Sequence, residues 1–264
     1  MSNLAERTLS NLINVILSVA KIDISDPDEK INRNSIKLKI QFKSMKKNLS
    51  ILFDLDGTLT EPHEGITKSI RYSLEKLNEP IPENLDWCIG PPLHESFKKI
   101  LTDTSEASIQ NALKIYRERF STIGWQENKV YAGIPETLDF LNEQGHHLYI
   151  ASSKPLIYIH KIVQHFDLVK YFKSVYGSEL DGTRTDKGEL IAYIVQEESL
   201  TNNQTYMIGD REHDVIGAHK NNISTLAVSY GYGSMEELQK SNPKKILSSP
   251  QEIIDFFKNP VFLP

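Results

Sequence analysis

Short apolar runs and segments of helical periodicity alternate along the chain from residue 49 onward. Five runs are apolar on both faces, as buried strands are, and they cover residues 50–53, 147–151, 174–176, 205–208 and 224–228. Helical periods separate or follow them over residues 135–144, 156–166, 187–198 and 214–220. Such alternation is typical of a parallel sheet with helices on both sides. The pattern therefore predicts an α/β fold.

One region interrupts this alternation. Between Ile66 and Tyr131 the sequence shows three helical periods, over residues 66–77, 93–101 and 109–120, and no strand candidate. An all-helical insertion over residues 66–131 is therefore predicted directly after the first strand. The flanking segments 49–65 and 132–264 form the predicted core domain.

Residues 1–48 follow a different pattern. Apolar positions predict an amphipathic helix over residues 4–20, and strict alternation over residues 35–43 predicts a half-buried strand. Lysines give that strand a basic outer face, which is also how exposed edge strands resist pairing with other chains. Three hypotheses stay open for this N-terminal extension: it pads the core, it binds a partner or a second copy of the chain, or Met45 is the natural start.

Composition narrows the function classes. The 264 residues suffice for one large or two small domains, and 30 basic against 35 acidic residues give a net charge of −5. This balance offers no general surface for binding a nucleic acid polymer. The single cysteine, Cys88, excludes an intramolecular disulfide and a cysteine-rich metal site. With no apolar run near the roughly 20 residues of a membrane span, a cytoplasmic protein is expected.

Polar residues follow the predicted strands at the edge where parallel sheets bind ligands. Asp54-Leu-Asp-Gly-Thr58 follows the first strand and Ser152-Ser-Lys154 the second. Arg184-Thr-Asp-Lys187 lies beyond the third, and Gly209-Asp-Arg-Glu-His-Asp214 ends the fourth. Because a purely structural sheet has no reason to gather carboxylates, the sequence predicts a functional crevice there.

The acids in this crevice point to a divalent cation. Asp54 and Asp56 are costly if both are buried without partners, and Asp210 and Asp214 can supply further oxygens. All-oxygen ligation with few carboxylates suits Mg²⁺, which also binds substrate phosphate. Gly57 permits a sharp turn directly after the two acids.

A lysine in the same crevice points to an anion. Asp186 and Glu189 resemble a capping box, which places Lys187 in the first turn of a helix, where the macrodipole disfavours a cation. A phosphate explains a lysine at this position. Lys154 is the rival for that role, and Arg184 is either a substrate contact or a loop charge. His213, within the fourth motif, is a further possible substrate contact.

These four motifs together resemble those of the haloacid dehalogenase superfamily of phosphohydrolases. Asp54-Leu-Asp-Gly-Thr58 is similar to the first motif, Ser152 to the second, Lys187 to the third, and Gly209–Asp214 to the acidic fourth. The helical insertion lies where this family places its cap domain, over a Rossmann-like core. Ile89-Gly-Pro-Pro-Leu93 and the segments around Lys187 and Asp210 resemble the branch of phosphoglycolate-phosphatase-like and 5′-nucleotidase-like enzymes.

The resemblance implies a mechanism and a set of roles. Asp54 is expected to attack phosphorus and form an aspartyl-phosphate, and Asp56 to act as general acid and then base. Mg²⁺ is expected on Asp54, Asp210, the Asp56 backbone carbonyl and, indirectly, Asp214. The implied phosphate contacts are Ser152, Lys187, Gly57 and Ser153.

The expected substrate is a small phosphorylated metabolite, first a nucleoside 5′-monophosphate. Phosphoglycolate, a sugar phosphate and a phosphomutase reaction are the alternatives within the same chemistry. The alternative of a different class is a partner-binding protein that acts through residues 1–48.

Overall fold

The computed structural model of the protein describes residues 48–259. The helix and the strand predicted for residues 4–20 and 35–43 lie outside these residues. None of the helices within residues 48–259 combines the length and the apolar character that a membrane crossing requires.

Eight strands occur within the described residues. In chain order they are β1 Ser50–Phe53, β2 Thr60–Glu61, β3 Lys129–Val130, β4 His147–Pro155, β5 Ser174–Ser178, β6 Thr205–Gly209, β7 Ser224–Val228 and β8 Lys245–Leu247. Six of them form one sheet in the order β5-β4-β1-β6-β7-β8, and every neighbouring pair is parallel. The predicted α/β fold with a parallel sheet is confirmed.

Nine α-helices accompany these strands in the described part of the chain. They are α1 His63–Leu77, α2 Leu93–Ile100, α3 Glu106–Arg119, α4 Ile134–Glu143, α5 Leu156–His165, α6 Lys187–Glu197, α7 Glu212–Lys220, α8 Met235–Ser241 and α9 Pro250–Lys258. A π-helix, Phe120–Gly124, continues α3 directly. The helical periods read from the sequence correspond to α1–α7.

Both faces of the central strand are buried, because successive side chains of a strand point to opposite faces. Ile51 and Phe53 pack in the cluster formed with α4, α5 and α9. Leu52, between them, packs in the cluster formed with α6 and α7. This double burial explains why the three residues before Asp54 in the first strand are all apolar.

The helical insertion packs around a second apolar cluster, to which Tyr158 of α5 also belongs. Ile66, Ile70, Phe97, Tyr116 and Phe120 belong to this cluster, so α1, α2, α3 and the π-helix pack on one another. The chain leaves the sheet through β2 and returns through β3, which pair antiparallel with Thr60 opposite Val130.

Two sequence-based expectations were wrong. Five strands were predicted for the sheet, but β8 adds a sixth. No strand was expected between Ile66 and Tyr131, but β3 lies at the end of this region. These strands have three and two residues, too few for a pattern of period two to be recognised. Short edge strands such as β8 are also often polar, and Lys245 is exposed.

Candidate active site

The end of β1 places two acids at the centre of the sheet edge. The amide of Asp54 still donates to the carbonyl of Ile208 on β6 at 2.9 Å, so the strand's hydrogen-bond ladder extends to this residue. The chain then turns at Gly57, whose φ is +87°. A Cβ atom at Gly57 would lie 2.2 Å from Oδ2 of Asp210, so only glycine fits here.

Three carboxylates meet beyond this turn. Asp54, Asp210 and Asp214 each offer an oxygen within 4.8 Å of the others, and all three side chains are buried. Burial, with the charges of Asp54 and Asp214, holds the pKa of Asp210 well above its ordinary value. Burial also raises the pKa of Asp214, although Lys187 opposes this effect. A cluster of this kind is suited to a cation, since an ion offsets the mutual repulsion.

Lys187 is the cation that touches this cluster. Its Nζ lies 2.8 Å from Oδ1 of both Asp54 and Asp214 and donates to the carbonyl of Ala151 at the same distance. Burial alone lowers the pKa of Lys187, but the two carboxylates outweigh it and raise the pKa, so the side chain stays charged. The predicted helix start is confirmed, because Asp186 accepts from the amide of Glu189 at 3.0 Å.

Asp56 has two oxygens in different surroundings. Oδ2 accepts a hydrogen bond from Nζ of Lys154. Oδ1 is buried and has no hydrogen-bond partner within the described residues. Burial raises the pKa of this carboxyl, although the Lys154 ammonium opposes the shift. A buried acceptor without a partner is rare in folded proteins and marks a place where a ligand or water is expected.

The residues predicted to bind phosphate are only partly free to do so. Ser152 is buried and lines the cavity described below. The hydroxyl of Ser153 donates to the carbonyl of Thr185 at 3.0 Å, and the amide of Gly57 donates to the carbonyl of Thr60 at 2.7 Å. These two donors are therefore used within the protein.

The loop after β7 holds Asp210 in place, a role that was not recognised in the sequence. The amide of Tyr232 donates to Oδ2 of Asp210 at 2.8 Å, and the hydroxyl of Thr58 donates to Oδ1 at 3.4 Å. A Cβ atom on Gly231 would lie 2.4 Å from Asp210, so the loop approaches it closely. The alternating glycines of Tyr230-Gly-Tyr-Gly233 were the available signal for such close packing.

A cavity of about 690 Å³ extends from the carboxylates to the helical insertion. Lys154 and His213 line it, as the sequence suggested. Arg184 is absent from its lining; its guanidinium lies 4.7 Å from the ring centroid of Tyr193 and pairs with Glu179. The outer wall comes from α2 and α3, including His94, so the insertion shapes the part of the cavity away from the carboxylates.

Two arginines connect the insertion to the sheet domain, and neither was singled out in the sequence. Arg211 donates through Nη1 to the carbonyl of Ile89 and through Nε to Glu237 at 2.8 Å. Arg117 on α3 donates to the carbonyl of Leu180 at 2.9 Å. Arg117 and Leu180 also line the cavity.

This arrangement of acids, lysine and parallel sheet agrees with one family of hydrolases. Residues 51–228 match the sequence profile of the haloacid dehalogenase-like hydrolase family. The chain belongs to this family. The match covers β1 to β7 and therefore includes all four motifs and the helical insertion. The predicted resemblance is confirmed, and within this family the chain is a phosphatase.

Several individual proteins are similar to most of this chain, and their names differ in activity. A 5′-nucleotidase from Pseudomonas aeruginosa is 47% identical over 196 residues, which are 74% of this chain and 88% of the relative. The tyrosine-protein kinase PtkA from Mycobacterium tuberculosis is 33% identical over 73% of this chain and 66% of its own. The crystal structure of a predicted phosphatase from Clostridium acetobutylicum has a TM-score of 0.77 and 41% identity, covering 80% of this chain and 99% of that one.

Proposed function

We propose that the protein is a Mg²⁺-dependent phosphomonoester hydrolase that works through an aspartyl-phosphate, with nucleoside 5′-monophosphates as its best substrates. The observation that carries this proposal is the meeting of Asp54, Lys187 and the unpartnered Oδ1 of Asp56 at one end of a large cavity. A nucleophile, a cation and a proton-transfer group are then together where the phosphate enters.

The first step forms a bond between an Asp54 carboxylate oxygen and phosphorus, while the bond from phosphorus to the leaving oxygen breaks. Asp56 gives its proton to that leaving oxygen. In the second step Asp56 takes a proton from water, whose oxygen bonds to phosphorus as the bond to Asp54 breaks. Lys187 and the Ser152 hydroxyl balance the negative charge of the phosphoryl oxygens in both steps.

The residues present fit a magnesium ion. Carboxylate oxygens of Asp54 and Asp210 and the backbone carbonyl of Asp56 would hold it, with Asp214 close behind, and these are the hard oxygen donors that Mg²⁺ prefers. When bound, the ion supplies positive charge beside the phosphoryl group. One lysine facing three buried carboxylates leaves an excess of negative charge that agrees with such a role.

Two observations favour a nucleotide over a smaller substrate. The relative from Pseudomonas aeruginosa that shares 47% identity over most of this chain is named a 5′-nucleotidase. The cavity volume of about 690 Å³ also lies within the range of about 300–1,000 Å³ typical of sites for drug-sized ligands. A nucleoside monophosphate is of that size, whereas phosphoglycolate would fill only a small part of the cavity.

Phosphate release by the full chain tests the proposal. Nucleoside 5′-monophosphates, phosphoglycolate and hexose phosphates are compared in Mg²⁺ and in EDTA, beside Asp54→Asn and the surface control Lys161→Met. Release from nucleotides that needs Mg²⁺, stays with the control and falls by at least about 10³-fold in Asp54→Asn is expected. A better rate with phosphoglycolate would overturn the nucleotide assignment.

Two other results would overturn the hydrolase itself. Conversion of one hexose phosphate into its isomer without release of phosphate would identify a phosphomutase. The absence of turnover with every substrate would leave partner binding through residues 1–48 as the hypothesis to pursue.

A further inference from the structure

The lysine that follows the second motif has contacts that the reaction as described does not use. Lys154 lies near the end of β4, where the pairing with β5 shifts register between Ala151 and Pro155. Its side chain is 6% exposed and forms an ion pair with Oδ2 of Asp56, whose side chain is 10% exposed. Lys187, and not Lys154, contacts the nucleophile Asp54.

The other side of the same ammonium faces the helical insertion. Nζ of Lys154 lies 5.0 Å from the ring centroid of Phe120, the first residue of the π-helix. Phe120 is held in turn by Tyr116, stacked at 5.2 Å, and by Tyr158, edge-on at 5.1 Å. A cation between a carboxylate and an aromatic face has little freedom to move.

This contact decides which oxygen of Asp56 can carry a proton. An ammonium group has donors and no acceptor, so an oxygen that it contacts must act as the acceptor. Lys154 occupies Oδ2 in this way, and Oδ1 is the oxygen without a partner. Oδ1 is therefore the oxygen of Asp56 that can meet a substrate or water.

We propose that Lys154 is a positioning residue that fixes the Asp56 carboxyl through Oδ2 and so makes Oδ1 the atom that exchanges protons with the leaving oxygen and with water. The Phe120 ring keeps the ammonium in place and thereby links the helical insertion to the acid–base group. This inference rests on the acid–base role proposed for Asp56. The competing hypothesis is that Lys154 contacts the substrate phosphate directly.

Substrates whose leaving groups differ in basicity distinguish a role of Lys154 in positioning Asp56 from a direct contact with phosphate. An alcohol must receive a proton as it leaves, whereas p-nitrophenolate leaves without one. The ratio kcat/KM reports the steps up to phosphorylation of Asp54, so it contains the acid step and excludes the base step. The experiment measures kcat/KM for the best nucleotide or other alkyl phosphate of the panel and for p-nitrophenyl phosphate, in wild type, Lys154→Met and Asp56→Asn.

Lys161→Met is the matched control. Lys161 also places its Nζ over an aromatic ring, that of Trp125 at 5.7 Å, but neither residue lines the cavity. The same loss of a lysine and of a ring contact is therefore made away from Asp56, and unchanged kinetics are expected.

Lys154→Met should lower kcat/KM for the alkyl phosphate by about 10²-fold or more and leave that for p-nitrophenyl phosphate within about threefold. Because the base step is slowed as well, p-nitrophenolate should appear in a burst of about one per active site. The inhibition constant of inorganic phosphate should stay the same, since no phosphate contact is lost. Asp56→Asn should likewise lose much more kcat/KM for the alkyl phosphate than for p-nitrophenyl phosphate.

Restoring the ammonium provides a second variant. Lys154→Cys treated with 2-bromoethylamine regains a side chain of nearly the length and charge of lysine, while the buried Cys88 stays unmodified. Recovery of kcat/KM for the alkyl phosphate only after treatment supports the proposal. A Cys variant with full activity before treatment contradicts it.

Failures of the two proposals look different. If Asp56→Asn lowers kcat/KM equally for the two substrates, the acid–base role of Asp56 is wrong. If Asp56→Asn lowers kcat/KM mainly for the alkyl phosphate and Lys154→Met does not, only the positioning role of Lys154 is overturned. A tenfold weaker inhibition by phosphate in Lys154→Met, with equal losses for both substrates, would identify Lys154 as a phosphate contact.

Discussion

Nζ of Lys187 lies 2.8 Å from Oδ1 of Asp54, and both side chains are almost fully buried. The same ammonium reaches Asp214, so one cation compensates two carboxylates, one directly after β1 and the other in the first turn of α7. Charges buried in this way depend on each other, because removing one partner leaves an uncompensated charge in a poorly solvated place.

Lys187→Met should therefore reduce the free energy of unfolding by about 3–5 kcal/mol in the absence of divalent metal. Urea unfolding in EDTA measures this change. Lys220→Met is the control, because Lys220 pairs with Asp186 at 3.5 Å on the exposed surface, and its loss should cost less than about 1 kcal/mol. Equal stability of Lys187→Met and wild type would show that the carboxylates do not need this cation.

Arg211→Lys should weaken substrate binding more than it slows chemistry. Lysine keeps the charge but lacks the planar group that donates both to the carbonyl of Ile89 and to Glu237. The insertion then loses a bond to the sheet domain, and KM is expected to rise about tenfold while kcat changes less than about threefold. Steady-state kinetics measure both, with Lys240→Met on the exposed face of α8 as control. A fall in kcat at constant KM would contradict this.

Glu198 gives the stability of the protein a defined dependence on acid pH. Burial raises its pKa, but hydrogen bonds from Lys173, Ser174 and Tyr176 outweigh that effect and lower it from 4.5 to about 2. A carboxylate with a lowered pKa stabilises the fold above its unfolded value, near pH 4.5, and this contribution is lost as the pH falls toward about 2.

Glu198→Gln should therefore be less stable than wild type by about 2 kcal/mol at pH 7, with the difference shrinking below pH 4.5. Urea unfolding of both proteins at pH 7, 4 and 3 measures the difference directly. Glu197→Gln on the same helix turn is the control, with no such difference expected. A gap that stays constant down to pH 3 would refute this assignment of the acid sensitivity.

Cys88 should be unreactive in the folded protein. Its side chain is 1% exposed, and burial raises the pKa of its thiol to about 11. Only the thiolate reacts with disulfide reagents, so labelling at pH 8 should be at least about 10²-fold slower than in denaturant. Absorbance after addition of Ellman's reagent measures the rate. Rapid labelling of the native protein would show that the helical insertion opens around Cys88.

The strand ends were predictable because their chemistry is local. Asp54 and Asp56 directly follow a strand that is apolar on both faces. Asp186 is the N-cap residue of the helix that begins at Lys187, and N-cap residues are recognisable in a sequence. The partners of these residues were less accessible. Tyr232 reaches Asp210 across 22 positions through its backbone amide, which no side-chain pattern encodes.

Two lysines were candidates for the phosphate contact in the sequence, Lys187 first and Lys154 as its rival, and the structure gives them different partners. The irregular pairing between Ala151 and Pro155 accompanies the turn of Lys154 toward Asp56, while Lys187 reaches Asp54 from a helix start. Arg184 is a similar case, because its positive φ of 61° belongs to a loop that lays its guanidinium over Tyr193. Sequence spacing does not determine such local backbone geometry.

The pairing of β2 with β3 has a consequence for how substrate choice can diversify. Thr60 and Val130 are opposite each other, so the two connections between the sheet domain and the insertion lie side by side. Everything between these two residues can be lengthened, shortened or exchanged without altering the spacing of the strands that carry the carboxylates. Recombination at β2 and β3 that keeps Phe120 beside Lys154 would thus combine a new selectivity with the same reaction, which makes residues 62–128 the natural unit for building chimaeras with related enzymes.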